Sequence, residues 1–309
     1  MEPISHLLTL KDLTREQIIG LLDLAKKIKA NPENYSTSLA GKSIVTLFEK
    51  PSLRTRVTFD IGVNRLGGHA VYLDQQNGAI GQRESIKDYA KNLSRWCDAI
   101  VARVFSHQTL QNFRQYATVP IINSLCDLYH PCQALADFQT IAEHYEDLGK
   151  VKLAYVGDGN NVTHSLMLGG AILGMEVAAI CPMGSSPDAQ VVLAANELAK
   201  VNGGKIVVSD SLDALDGYDV VYGDTWVSMG DETPLEQVKD RFSPYQINQQ
   251  MLDRYGIGHV LHCQPAHRGL EITSQVMDGP QSIIFDQAEN RMHAQNAVLL
   301  SLIQPEQGL

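Results

Sequence analysis

Five consecutive residues, Ser52-Leu53-Arg54-Thr55-Arg56, concentrate two guanidiniums and two hydroxyls where a helix is expected to begin. They follow the apolar run Ser43-Ile44-Val45-Thr46-Leu47-Phe48 and open an apolar period through Val57, Ile61 and Leu66. That order reads as strand, short turn and helix N-terminus. The first backbone N–H groups of a helix have no partner inside it and point toward an anion. Basic side chains at that end oppose the helix dipole unless an anion sits between them. Arginine adds charge-assisted, fork-shaped donors that match phosphate oxygens. The segment therefore reads as a phosphate cradle rather than a solvated basic turn.

Other polar groups recur downstream at strand ends. Arg103 closes one apolar run, His130-Pro131-Cys132-Gln133 opens a helical pattern, and Asp224 and Cys263 close two later runs. A lone histidine is more often structural than catalytic. With Arg103 and Thr55, however, His130 can surround a carbonyl oxygen with donors, as an oxyanion hole does. Gly157-Asp158-Gly159-Asn160-Asn161-Val162 follows a strand, but Val162 stands where a dinucleotide fingerprint needs its last small residue. A tight turn with Asn161 as helix cap is the expectation there. Cys263 has no neighbours at zinc spacing, so a metal reading fails.

In the same order along the chain, Phe48-Glu49-Lys50-Pro51-Ser52-Leu53-Arg54-Thr55-Arg56, Gly81-Gln82-Arg83-Glu84-Ser85, Arg103, His130-Pro131-Cys132-Gln133, Asp224-Thr225-Trp226-Val227-Ser228-Met229-Gly230, His262-Cys263-Gln264-Pro265 and Arg291 resemble the motifs of the aspartate/ornithine carbamoyltransferase family. The resemblance spans nearly the whole chain and is strongest to the ornithine branch. It implies carbamoyl transfer from carbamoyl phosphate to the δ-amine of L-ornithine, giving L-citrulline and phosphate, with no metal or organic cofactor. It implies a carbamoyl-phosphate site of Ser52, Leu53, Arg54, Thr55, Gln82, Arg103, His130, Gln133, Cys263, Gln264 and Arg291. Asn161, Asp224, Ser228 and Met229 would hold ornithine. Arg54, Arg103, His130, Asp224 and Cys263 would carry the catalysis. The resemblance also implies a homotrimer with active sites shared between chains, Gln82 reaching a neighbour's carbamoyl phosphate.

Two positions depart from the family pattern. Leu53 replaces the usual threonine and loses a hydroxyl donor, and Gln264 replaces the usual leucine of the H-C-L-P loop. An apolar residue at position 53 also occurs in acetylornithine-type enzymes. An acylated acceptor, putrescine, or a non-catalytic α/β ligand-binding module therefore stay open at this point. The acidic and neutral loop around Asp224 argues against an aspartate acceptor, whose second carboxylate would call for basic residues.

The elements that must position these groups follow from periodicity. Strand-like runs at 43–48, 69–73, 99–105 and 119–125 alternate with helical patterns near 52–66, 85–96, 108–117 and 132–147. A second set of strands follows at 151–156, 177–181, 205–208, 218–222 and 259–263. Thr14 to Gln17 fits a capping box ahead of the first helix, and Asn290 to Ile303 reads as the last. The expected fold is α/β: two doubly wound parallel-sheet domains with the active site in the cleft between them. The family resemblance implies that residues 1–148 form the carbamoyl-phosphate domain, joined by a returning helix at 290–309, and residues 149–289 the ornithine domain.

Composition limits the partners. A chain of 309 residues with a formal net charge of −10 lacks the overall basic balance of a nucleic-acid binder. No apolar run approaches the roughly 20 residues that span a bilayer. Five cysteines without a C-x-x-C pair fit reduced thiols, and the expected compartment is the cytoplasm.

Overall fold

The structure, a computed structural model, describes residues 3–74, 80–227 and 233–308. The chain divides into two compact units, Met1–Gln139 with Glu289–Leu309, and Thr140–Ala288.

The first unit opens with α1 (Arg15–Ala30), whose Thr14–Gln17 capping box is formed in both directions. Then β1 (Ser43–Phe48), α2 (Leu53–Arg65), β2 (His69–Leu73), α3 (Ile86–Leu93), β3 (Ala99–Arg103), α4 (His107–Tyr116), β4 (Ile121–Leu125) and α5 (Pro131–Ala142) alternate. The strands pair in the order β2-β1-β3-β4, all parallel. β3 is buried at every position, as a central strand covered on both faces should be. β2, at the edge, is exposed or half-buried throughout.

The second unit holds β5 (Lys152–Val156), α6 (Asn161–Leu173), β6 (Glu176–Ile180), α7 (Ala189–Asn202), β7 (Lys205–Ser209), β8 (Val220–Gly223), α8 (Leu235–Phe242), α9 (Gln249–Tyr255), β9 (His259–His262) and α10 (Ser274–Met277). Its five strands are also parallel, in the order β7-β6-β5-β8-β9. A core of Ala154, Val221, Val260, Leu252 and Ile284 lies against this sheet.

The unit boundaries fall inside two helices, α5 and α11 (Ile284–Ile303). The division at Gln139 comes before the join near Gly149 expected from the sequence, because α5 continues across it. α11 also begins earlier than the expected Asn290, since its first turn carries Ile284, which is buried in the second unit's core. Several strands are shorter than their apolar runs. β3 stops at Arg103, where the Phe105 N–H turns to the Glu49 carboxylate at 2.8 Å instead of continuing the ladder.

Each strand order reverses once, between β1 and β3 and between β5 and β8. Ligands of open parallel sheets gather outside the carboxyl ends of strands at such reversals. Those two edges carry the candidate residues.

Candidate active site

In the first unit the cradle is built at the start of α2. Ser52 caps the helix, its Oγ accepting from the Thr55 N–H at 3.3 Å. Leu53 takes the first helical position with its side chain 74% exposed, so it offers this site a backbone N–H alone. Arg54 is half-buried beside it. Thr55 is buried, and its Oγ1 accepts from Arg291 Nη2 at 2.8 Å, tying α2 to α11. The helices meet closely because position 62 is glycine: a Cβ there would stand 2.3 Å from Asn296 Oδ1.

Register brings the next residue in. Phe48, the last residue of β1, lies opposite Arg103, the last of β3. The loop after β4 then delivers His130 ahead of Pro131, at the start of α5. Arg103, His130 and Arg291 are all buried. Burial, and next the charge of Arg291, push the Arg103 guanidinium down to about 10. Burial followed by Arg291 and Arg103 holds His130 well below the usual histidine range, so its imidazole is neutral. Burial and Arg103 also lower Lys50, whose ammonium sits 4.8 Å from the Phe105 ring centroid. Concentrated, mutually repelling cationic groups are what an anion would relieve. Gln133, on the first turn of α5, donates from Nε2 to Asp137 Oδ1 at 2.8 Å.

The second unit builds a different arrangement. Asp224, just past β8, is buried, and its Oδ1 accepts from the Cys263 thiol at 2.9 Å and from the Thr225 N–H at 2.8 Å. Its Oδ2 accepts from Asn160 Nδ2 at 2.8 Å. The cap of α6 is Asn160, whose Oδ1 accepts from the Val162 and Thr163 N–H groups; this corrects the expectation for Asn161, which is the first helical residue. Either asparagine fits a cap by type, and only the backbone path decides between them. Gly159 of this turn serves packing, since a Cβ there would stand 2.3 Å from the Pro187 nitrogen.

The Cys263 loop is supported from behind. Gln264 has φ of 58°, a left-handed conformation that costs energy for a side-chain-bearing residue. Its N–H donates to His262 Nδ1 at 2.9 Å, which leaves the ring proton on Nε2, 3.4 Å from Glu271 Oε1. The His262 N–H donates to Gln287 Oε1 at 2.8 Å.

Ser52, Thr55, Arg103, His130 and Arg291 thus share one constellation in the first unit, with Arg54 and Gln133 adjoining it in sequence. Asp224 and Cys263 share another in the second, with Asn161 and Gln264 adjoining. The contacts of the first constellation do not include Gln82, which lies exposed on the turn before α3. Ser228 and Met229, together with residues 75–79 ahead of Gln82, lie outside the described residues. Sequence reasoning missed Asn160 and Asp137. The i, i+4 spacing of Gln133 and Asp137 on one helix was the available signal for the latter.

Residues 5–143 match the family model described as aspartate/ornithine carbamoyltransferase, carbamoyl-P binding domain, and residues 149–302 match the Asp/Orn binding domain of the same family. An ornithine carbamoyltransferase from Vibrio sp. (strain 2693) is 71% identical over 300 residues, covering 97% of this chain and 100% of the relative. The solved ornithine carbamoyltransferase from Pyrococcus furiosus is similar at 44% identity with a TM-score of 0.92, covering 96% of each chain. An acetylornithine transcarbamylase complexed with acetylcitrulline is similar at 30% identity with a TM-score of 0.88, covering 97% of this chain and 99% of that one.

Proposed function

Because this chain belongs to the aspartate/ornithine carbamoyltransferase family, we propose that it transfers the carbamoyl group of carbamoyl phosphate to the δ-amine of L-ornithine, giving L-citrulline and phosphate. One observation carries the reading for the donor: Thr55, held by Arg291 at the Ser52-capped start of α2, shares its unit with Arg103 and a neutral His130. The relative with 71% identity is named for ornithine, whereas the acetylornithine enzyme stands at 30%, which favours the unacylated acceptor.

In this reading Ser52, Leu53, Arg54 and Thr55 hold the phosphate through the α2 terminus, its side chains and its backbone N–H groups. Arg103, Thr55 and His130 meet the carbamoyl oxygen and stabilise the negative charge that develops when the amine adds to the carbonyl carbon. A neutral imidazole suits this role, since it donates a hydrogen bond without surrendering a proton. Asn161, Asp224, Ser228 and Met229 take the α-amino-acid end of ornithine. The Cys263 thiol approaches the reacting amine, and backbone carbonyls of the Cys263-Gln264 loop hold the carbamoyl amine. The amine attacks uncharged although such amines have a pKa of about 10. The departing phosphate takes up the proton that the amine releases on bond formation.

The assembly is a homotrimer of the cytoplasm in which neighbours share sites. Its support is an exposed apolar stripe on α2, Leu53, Val57 and Ile61 at helical spacing, beside exposed Val71 on the edge strand β2. Such a stripe calls for a covering surface, and cyclic symmetry lets each chain both give and receive a loop.

Citrulline formation assayed with ornithine, N-acetylornithine and putrescine tests the reaction. Turnover with ornithine is expected; turnover with only the other two replaces the reading. Mixing inactive Arg54→Ala and Gln82→Ala subunits tests the sharing. Activity should return in mixed trimers, and its absence in confirmed hybrids would confine each site to one chain.

A further inference from the structure

We propose that Asp137 is a positioning residue that fixes the orientation of the Gln133 amide. Its oxygen is then the end offered to the ligand, and the site selects a carbamoyl –NH2 over groups that cannot donate a hydrogen bond. The inference rests on the proposed reading that carbamoyl phosphate occupies the cradle.

Gln133 and Asp137 lie one turn apart on α5, with relative exposures of 1% and 0%. A primary amide has a donor end and an acceptor end of nearly the same shape, so packing alone does not choose between its two orientations. A carboxylate chooses. When ionised it offers only acceptors, so the amide nitrogen must face it, and Gln133 Nε2 donates to Asp137 Oδ1 at 2.8 Å. The reversed amide would set two oxygens against each other at that distance. With its nitrogen committed, Gln133 leaves Oε1 buried and without a hydrogen-bond partner among the described residues.

An unpaired buried acceptor carries an uncompensated desolvation cost, which a ligand N–H relieves. The neighbouring groups have the opposite polarity. Arg103 and Arg291 donate only, and His130 lies three residues before Gln133, its carbonyl accepting from the Gln133 N–H at 3.2 Å. A carbamoyl group carries an accepting oxygen and a donating nitrogen, and this unit supplies both complements. An acetyl group in its place would leave Gln133 Oε1 unpaired. Sites that hydrogen-bond a polar group reject analogues lacking it more sharply than apolar pockets reject a missing methylene.

Calorimetric titration of the whole enzyme with phosphonoacetamide and with 2-oxopropylphosphonate isolates this contact, since the two differ only by –NH2 against –CH3. Inorganic phosphate reports on the cradle itself. The wild type should prefer the amide by roughly 10- to 100-fold. Asp137→Asn lets an amide face an amide in either sense, so the preference should fall by roughly 10-fold or more while phosphate affinity holds. The exchanged pair Gln133→Glu with Asp137→Asn moves the charge across the contact. The amide now at position 137 then donates to one oxygen of the carboxylate at position 133, leaving the other oxygen as acceptor. This pair should recover the preference, which a merely structural role of Asp137 does not predict.

A wild-type preference retained in Asp137→Asn overturns the inference, as does a wild type that binds both phosphonates equally. If Asp137→Asn loses phosphate binding as well, the exchanged pair decides. Recovery of both phosphate binding and amide preference supports the proposal, and any other result overturns it. A wild type that binds neither phosphate nor phosphonate removes the carbamoyl-phosphate reading, and this inference with it.

Discussion

In the first unit Arg103 and Arg291 are buried near enough to depress the Arg103 guanidinium, whereas in the second the buried Asp224 carboxylate accepts from Asn160, Cys263 and Thr225. One constellation carries a guanidinium that burial and a second guanidinium penalise; the other carries a carboxylate that accepts three hydrogen bonds. The first is therefore built to gain from an incoming anion, and its affinity should follow ligand charge. The second is held in shape before any ligand arrives, so it should discriminate by hydrogen-bond geometry. Removing a charged side chain should consequently affect stability in opposite senses in the two units.

The largest effect is expected from Arg103→Met. Losing a donor to a developing oxyanion costs roughly 10²–10³ in kcat. The same change deletes a desolvated, repelled charge and leaves an apolar chain of similar length, so the thermal midpoint should hold or rise. Steady-state kinetics and scanning calorimetry on one preparation check both halves. A marked fall in the midpoint would break the contrast with the second unit.

Asp224→Asn should do the reverse. An amide cannot accept from Asn160, Cys263 and Thr225 as a carboxylate does, and hydrogen bonds to a charged group are worth about 1.5–3 kcal/mol. The midpoint should fall and the ornithine KM rise, with carbamoyl-phosphate affinity near that of the wild type. Unchanged ornithine kinetics would remove Asp224 from the acceptor site.

A smaller effect separates the units by pH. Burial holds His6, His107 and His130 of the first unit below the usual histidine value, and in the second unit it does the same for His259, helped by His144. The unfolded chain therefore binds these protons first. Stability from the neutral rings is fully present above the unfolded value of about 6.5 and is lost as pH falls below it. Hydrogen exchange between neutral and mildly acidic pH should show the first unit losing protection before the second. Equal loss in both would mean that these histidines do not set the acid limit.

Much of this was legible in the chain because it is written locally. The Thr14–Gln17 capping box depends on residues three apart, and it formed as read. The strand runs at 43–48 and 69–73 are continuous or alternating apolar patterns with turn residues on both sides, and they became β1 and β2 with those limits. Where a backbone group found a distant partner, local reading failed. The Glu49 carboxylate ended β3 early, and the cap of α6 moved by one residue.

The sequence by itself determined the order of elements, the two parallel sheets and the chemical character of the cradle, since these follow from periodicity and from residue type at short spacing. Tertiary structure decided which groups meet. Thr55 and Arg291 stand 236 positions apart, and only the return of α11 to α2 joins them. The same holds for protonation: nothing in the letters around His130 makes it neutral, because the cause is burial near two guanidiniums from other elements. Burial and long-range proximity are properties of the packed chain, and they set the charge on which each constellation acts.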